Sequence, residues 1–162
     1  MPEIISDGAR LSVGFVFSSD GESVLLIKKN RPKFLAGLLN GTGGHADGDE
    51  TPVQTVSRET DEETALFIPV SEWVFLFDET FGNGVELSYF AAVSDHLDRA
   101  RQTTDETIHT LPVSSLSADK MAPGCIEALI LAREKLGFSA LSFAPASAEP
   151  AQAVVRPLSP RR

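Results

Sequence analysis

The chain has 162 residues, 42% hydrophobic and 23% charged, with 14 basic against 23 acidic side chains for a net charge of −9 and a pI near 4.7. That is one ordinary globular domain, large enough to bury a core, and too acidic to coat duplex nucleic acid, which needs a basic face to displace counterions. No run approaches the ~18 apolar residues of a membrane span, a single cysteine (Cys125) forms no intrachain disulfide, and MPEIISDGAR lacks the apolar core of a secretion signal. The expectation is a cytoplasmic protein with no membrane partner.

Leu11 to Phe17 and Ser23 to Lys29 are short β-branched runs separated by SSDGE and read as two strands joined by a turn. The loop NRPKFLAG follows, then the glycine-dense segment LLNGTGGHADGDE. Thr51 suits an N-cap, Pro52 the first helical position and Gln54 the return half of a capping box, so a helix is predicted from there to about Ala65. Trp73 to Asp78 and Val85 to Val93 read as strands with Asn83-Gly84 as a hairpin turn. Residues 94–105 read as loop, Glu106 to Leu111 as a short strand and Pro112 to Leu116 as a short helix. A second long helix is predicted over Gly124 to Leu136, with Ile126, Leu129, Ile130 and Ala132 facing the core. LSFA reads as a last strand. The domain is expected over 1–143 and an extended or flexible Pro/Ala/Ser-rich tail over 144–162.

Chemistry concentrates on the first helix. At 100° per residue, Glu59, Glu62 and Glu63 fall near about 0°, 300° and 40° and share one face, while Val53, Val56, Thr60 and Thr64 cluster on the adjoining one. Like charges at these spacings destabilise a helix by roughly 0.2–0.5 kcal/mol per pair. Arg58 relieves part of this by pairing with Glu62, and a bound divalent cation would offset the rest, since hard oxygens on one face suit magnesium. Alone, such a face also reads as solvated surface.

The residues before the helix change that reading. Gly44, Glu50 and Arg58-Glu59-Thr60-Asp61-Glu62-Glu63-Thr64-Ala65-Leu66 follow G-x5-E-x7-R-E-U-x-E-E-x-G-U, and Gly44 to Leu66 resembles the Nudix box. Ala65 stands where the family has glycine, Thr60 where it has an aliphatic residue, and Thr42 where many members have proline. The resemblance implies a single-domain α/β/α sandwich around a mixed sheet, and hydrolysis of a nucleoside diphosphate linked to another moiety with Mg²⁺ (Mn²⁺ in its place). It implies Glu59, Glu62, Glu63 and the Gly44 carbonyl as metal ligands, Glu59 as a candidate general base, Arg58 orienting the glutamates, and Glu50 supporting the loop.

Lys28, Lys29, Arg31 and Lys33 crowd just before the glycines, and Arg31 and Lys33 are candidate phosphate contacts. Glu106, then Asp105, are candidates for the further carboxylate many members supply from a later loop. The segment KNRPKFLAGLLNGTGGHADGDETP also resembles a bacterial and phage Nudix subgroup in which a basic Arg-Pro loop leads into the glycines, and that resemblance implies a (deoxy)nucleoside triphosphate as substrate, giving the monophosphate and pyrophosphate. ADP-ribose, nucleotide sugars and dinucleoside polyphosphates are the enzymatic alternatives, and a nucleotide-binding sensor without turnover the non-enzymatic one. The family often dimerises, so a homodimer is a further expectation.

Other features read as bland. GTGGHA fits a dinucleotide fingerprint, but no tight strand–turn–helix surrounds it. Asp47, Asp49 and Glu50 lack calcium-loop spacing. His45, His96 and His109 have no paired ligand spacing, Cys125 reads as a small buried hydrophobe, and Trp73, Phe75, Phe77 and Tyr89 read mainly as core.

Overall fold

The computed structural model describes residues 7–140. The strands are β1 (Arg10–Phe17), β2 (Ser23–Lys28), β3 (Leu39–Asn40), β4 (Thr42–His45), β5 (Val74–Thr80), β6 (Glu86–Val93) and β7 (Ile108–Pro112). The helices are α1 (Pro52–Thr64) and α2 (Cys125–Lys135). The expected 73–78 and 106–111 strands lie one or two residues later, the 112–116 helix is one 3-10 turn (Val113–Ser115), and 94–105 holds another at Leu97–Arg99. The expected LSFA strand and the tail lie outside the described residues. No described helix is long and apolar enough to cross a membrane.

Among the described residues the strands form one mixed sheet. β1 runs parallel to β6 along its whole length, from Arg10 beside Glu86 to Phe17 beside Val93. Its other edge is divided: Val16 and Phe17 pair with β2, whereas Leu11 to Gly14 pair with β4 in the antiparallel sense. β2 carries β3 and β7 in turn, and β5 closes the far edge against β6. The divided edge lets the glycine segment enter the sheet as β4, where a loop is expected from composition.

Alternation along the strands builds two cores, one under each helix. Val13, Phe15 and Phe17 of β1, with Val24 and Leu26 of β2, pack under α2 through Ala128, Leu129 and Ala132. On the opposite face Val16, Leu25, Phe90 and Ala92 pack against Val56 of α1 together with Leu66, Ile68 and Trp73. The α/β/α layering expected from the resemblance is the observed one.

Two core expectations are corrected. Ile130 is 53% exposed: the buried stripe of α2 is Cys125, Ala128, Leu129 and Ala132, and it extends to Arg133, which is 3% exposed. The Arg133 guanidinium donates to the carbonyls of Gly21 and Ser139 and lies over the Phe138 ring, so its charge is solvated from within. Phe75, expected in the core, is 47% exposed. A register shift between Phe75 and Phe77 breaks the alternation there, placing Phe77 on the α2 side against the Tyr89 ring while Phe75 lies at the edge against Phe90.

Candidate active site

The local sequence makes α1 a fixed platform. The Gln54 N–H donates to Thr51 Oγ1 at 3.3 Å and the Thr51 N–H to Gln54 Oε1 at 2.9 Å, the reciprocal capping box, with Pro52 at the start. At the other end Ala65 adopts a left-handed conformation (φ 60°) and its N–H bonds to the Asp61 carbonyl at 2.8 Å. Val56, Thr60 and Thr64 are buried against the sheet, which turns Glu59 and Glu63 towards β4.

Arg58 organises that face. Its Nε donates to Glu50 Oε2 at 2.6 Å and its Nη2 to Glu50 Oε1 at 3.0 Å, a two-pronged pair that Lys could not reproduce. Nη2 also reaches the His45 carbonyl at 3.0 Å, tying the helix to the end of β4. Nη1 donates to Glu59 at 3.3 Å and Glu62 at 3.1 Å. Glu50 further accepts from the Asp47 N–H at 2.8 Å and the Thr55 hydroxyl at 3.0 Å. The Arg58 hydrogen bonds hold the Glu50 carboxyl down to about 2.

Glu59 and Glu63 are in the opposite condition. Burial pushes the Glu59 carboxyl up to about 7, with Glu62 adding to the rise and Arg58 opposing it. Burial also pushes Glu63 up to about 7; its bond from the Gly43 N–H at 2.9 Å and the charge of Lys29 pull it down, while Glu59 and Glu106 push it further up. Gly44 is where Glu59 meets the backbone: a Cβ there would stand 1.9 Å from Glu59 Oε2, so a larger residue displaces that carboxylate. Glu62 points outward, its side chain 57% exposed.

Of the other candidates, Arg31, Asp105 and Glu106 fall into one network beside this face. Glu106, 5% exposed, accepts from Lys29 Nζ at 3.1 Å and from the Asn30 N–H at 2.7 Å. Arg31 pairs with Asp105 and stands 4.0 Å from Glu106, whereas Lys33 lies exposed on the turn Lys33–Leu35. The structure therefore joins the basic segment to the late acidic loop.

Hard oxygen donors with surplus negative charge are the chemistry that holds a divalent cation, and Glu59, Glu63 and the Gly44 backbone offer it. Among the described residues no three His, Cys, Asp or Glu side chains are drawn close enough to grip a metal as they stand. Arg58 draws Glu59 and Glu62 to itself and Gly43 engages Glu63. The residues fit the ion, which would take Glu59 and Glu62 over from Arg58.

Sequence reasoning overlooked a second feature. A cavity of about 530 Å³ opens on the α2 side of the sheet, lined by Leu11, Phe34, Asn40, Glu79, Phe81 and Tyr89 among others. Asn40 stands four residues before Gly44, so their Cα atoms are at most about 14 Å apart. The only signal in the sequence is an asparagine directly before the glycine run.

The NUDIX domain family model matches residues 8–129. Among solved structures, the NUDIX domain of Shewanella oneidensis NrtR, crystallised with ADP ribose, matches at 22% identity and a TM-score of 0.63, over 82% of this chain and 90% of that one. A MutT NUDIX hydrolase from Burkholderia pseudomallei matches at 19% identity and 0.60, over 76% and 96%. A structure reported for MutT of Aliivibrio salmonicida and Vibrio cholerae matches at 17% and 0.57, over 72% and 87%. No curated protein sequence matches the chain.

Proposed function

The chain belongs to the NUDIX family of phosphoanhydride hydrolases, and from that premise we propose that it is a Mg²⁺-dependent pyrophosphohydrolase converting a (deoxy)nucleoside triphosphate to the monophosphate and pyrophosphate. The observation that carries this is the pair of half-buried carboxylates, Glu59 and Glu63, pressed on Gly43–Gly44, with burial pushing both up to about 7. Glu59, Glu62, Glu63 and the Gly44 carbonyl would hold the ion, Mg²⁺ or Mn²⁺. When bound, the ion neutralises phosphate charge and lets an anionic protein hold a polyanion.

The protein's own groups do the rest. Glu59, ionised in the loaded site, takes the proton from a water whose oxygen bonds to a phosphorus of the anhydride as the bridging P–O bond breaks. Arg58 orients Glu59 and Glu62, and Glu50 fixes Arg58. Glu106 is the further carboxylate and acts by holding Lys29 beside Glu63. Arg31 and Lys33 form a cationic rim for the outer phosphates; a Michaelis constant unchanged on removing both would discard that role. The acidic charge directs the protein to small nucleotides rather than duplex nucleic acid, and the lone thiol fits a cytoplasmic setting.

The test is a panel of nucleoside triphosphates, ADP-ribose, nucleotide sugars and dinucleoside polyphosphates assayed for phosphate and pyrophosphate release with Mg²⁺. Glu62→Gln and Glu63→Gln each cut turnover by orders of magnitude while the fold is retained; unchanged turnover in both overturns the assignment. The ADP ribose bound to the NrtR domain favours a second reading, cleavage of ADP-ribose. Turnover of that substrate in preference to every triphosphate would select it, and tight binding with no turnover would select a sensor.

A further inference from the structure

The loop between β4 and α1 carries Glu50, the anchor of Arg58, yet packing does not hold its tip. Asp47, Gly48 and Asp49 are exposed, and a Cβ on Gly48 would meet nothing within 4 Å. Hydrogen bonds from the start of β1 hold it instead. The Arg10 guanidinium spans two of its carbonyls, Nη2 donating to Gly48 at 2.6 Å and Nη1 to Glu50 at 2.9 Å. The Ala46 N–H donates to the Arg10 carbonyl at 2.9 Å, so one residue of β1 grips the loop at both ends. Two residues on, and on the same face of the strand, the buried Ser12 hydroxyl donates to the Pro52 carbonyl at 2.9 Å. Arg10 lies far ahead of the Gly44–Leu66 segment and forms no part of its pattern.

We propose that Arg10 is a positioning residue for the cation site: it fixes the Glu50 backbone, Glu50 fixes the Arg58 guanidinium, and Arg58 stays in place when Glu59 and Glu62 pass to the ion. The inference rests on the metal-dependent reading above. Glu50 meets Arg58 with both carboxylate oxygens, at 2.6 and 3.0 Å, whereas Arg58 holds Glu59 and Glu62 by one bond each, at 3.3 and 3.1 Å. A cation must break the two single bonds and leave the paired one, which requires a Glu50 that does not move. With the loop untied, Glu50 and Arg58 shift together after the departing glutamates, and the guanidinium keeps competing with the ion for their oxygens. The fork of Arg10 suits the task, since it donates from two nitrogens at once where an ammonium acts as a point charge. Partners that orient ligands change metal affinity by about 10–100-fold, and the exposed Arg10 belongs at the lower end of that range.

Mn²⁺ titrated into the protein without nucleotide, with the free ion read by electron paramagnetic resonance, tests this apart from catalysis. Arg10→Met keeps the aliphatic stem and weakens Mn²⁺ binding by about tenfold. Arg10→Lys, which keeps the charge without the fork, binds nearly as weakly. Lys135→Ala, which removes an exposed side-chain bond of 3.1 Å from α2 to the Phe75 carbonyl, binds as the wild type does. In turnover, Arg10→Met raises the Mg²⁺ concentration for half-maximal rate by the same factor and leaves the nucleotide KM at saturating Mg²⁺ unchanged. Wild-type Mn²⁺ affinity in Arg10→Met or Arg10→Lys overturns the inference. So does a loss confined to the nucleotide KM, which would make Arg10 a substrate contact. Mn²⁺ binding that depends on Arg10 in a protein that cleaves no nucleotide upholds this inference and defeats the pyrophosphohydrolase reading instead.

Discussion

Thr42 of β4 and Thr60 of α1 meet through their hydroxyls at 2.6 Å, both fully buried. These are two of the three positions at which the chain departs from the Nudix pattern, and the departures answer one another. Thr42 also approaches the Gly14 carbonyl at 3.3 Å, and the Thr64 hydroxyl bonds to the Thr60 carbonyl at 2.7 Å, so the helix is pinned to the divided edge of β1 by polar contacts where aliphatic packing is usual. Removing the Thr42 hydroxyl leaves that of Thr60 without its partner, and removing the Thr60 hydroxyl leaves that of Thr42 only its longer contact to the Gly14 carbonyl. Thr60→Val and Thr42→Val should each cost about 1–2 kcal/mol, and the double variant less than their sum. Urea unfolding of the four proteins measures this, and strictly additive costs would contradict the pairing.

The third departure, Ala65, sits at φ 60° after the last turn of α1. A Cβ in the left-handed region is strained and glycine is not. Ala65→Gly should therefore stabilise the protein by up to about 1 kcal/mol, seen as a rise in Tm of about 2–4 °C. A fall in Tm would mean that the alanine methyl makes contacts worth more than the strain.

How legible the molecule was depended on whether side chains or neighbours set each element. The start of α1 was readable because Thr51, Pro52 and Gln54 determine it locally, and its carboxylate face because helical geometry alone brings Glu59, Glu62 and Glu63 together. β3 and β4 were not readable: glycines carry no alternation, and Thr42–His45 is a strand only because β1 leaves half an edge open. The stripe of α2 was misjudged because Arg133 is solvated by carbonyls and a ring contributed from elsewhere in the chain.

Arg58 touches Glu50, Glu59, Glu62 and the His45 carbonyl at once, so its removal should be felt in fold and chemistry alike. Arg58→Lys keeps the charge but loses the fork onto Glu50. It should cost about 1.5–3 kcal/mol in stability and about 10–100-fold in activity, the usual effect of losing a group that orients ligands. Calorimetry and kcat/KM check both, and a lysine variant of wild-type activity would show that charge alone suffices.

The pH dependence separates the two kinds of carboxylate. Arg58 holds Glu50 down to about 2 from an ordinary 4.5, so its stabilisation is present above pH 4.5 and is lost as pH falls towards 2. Burial raises Glu59 and Glu63 from 4.5 to about 7, so their contribution has the opposite sign: it is present below pH 4.5 and is lost as pH rises through 7. In chelator, Tm should fall between pH 5 and 8, Glu63→Gln should lessen the fall, and Mg²⁺ at pH 8 should reverse it. Mg²⁺ added near pH 6.5 must displace protons from these carboxyls, so the binding heat should vary with the ionisation enthalpy of the buffer. A Tm that is flat from pH 5 to 8 without metal, or binding with no proton release, would show that the two glutamates are ionised before the ion arrives.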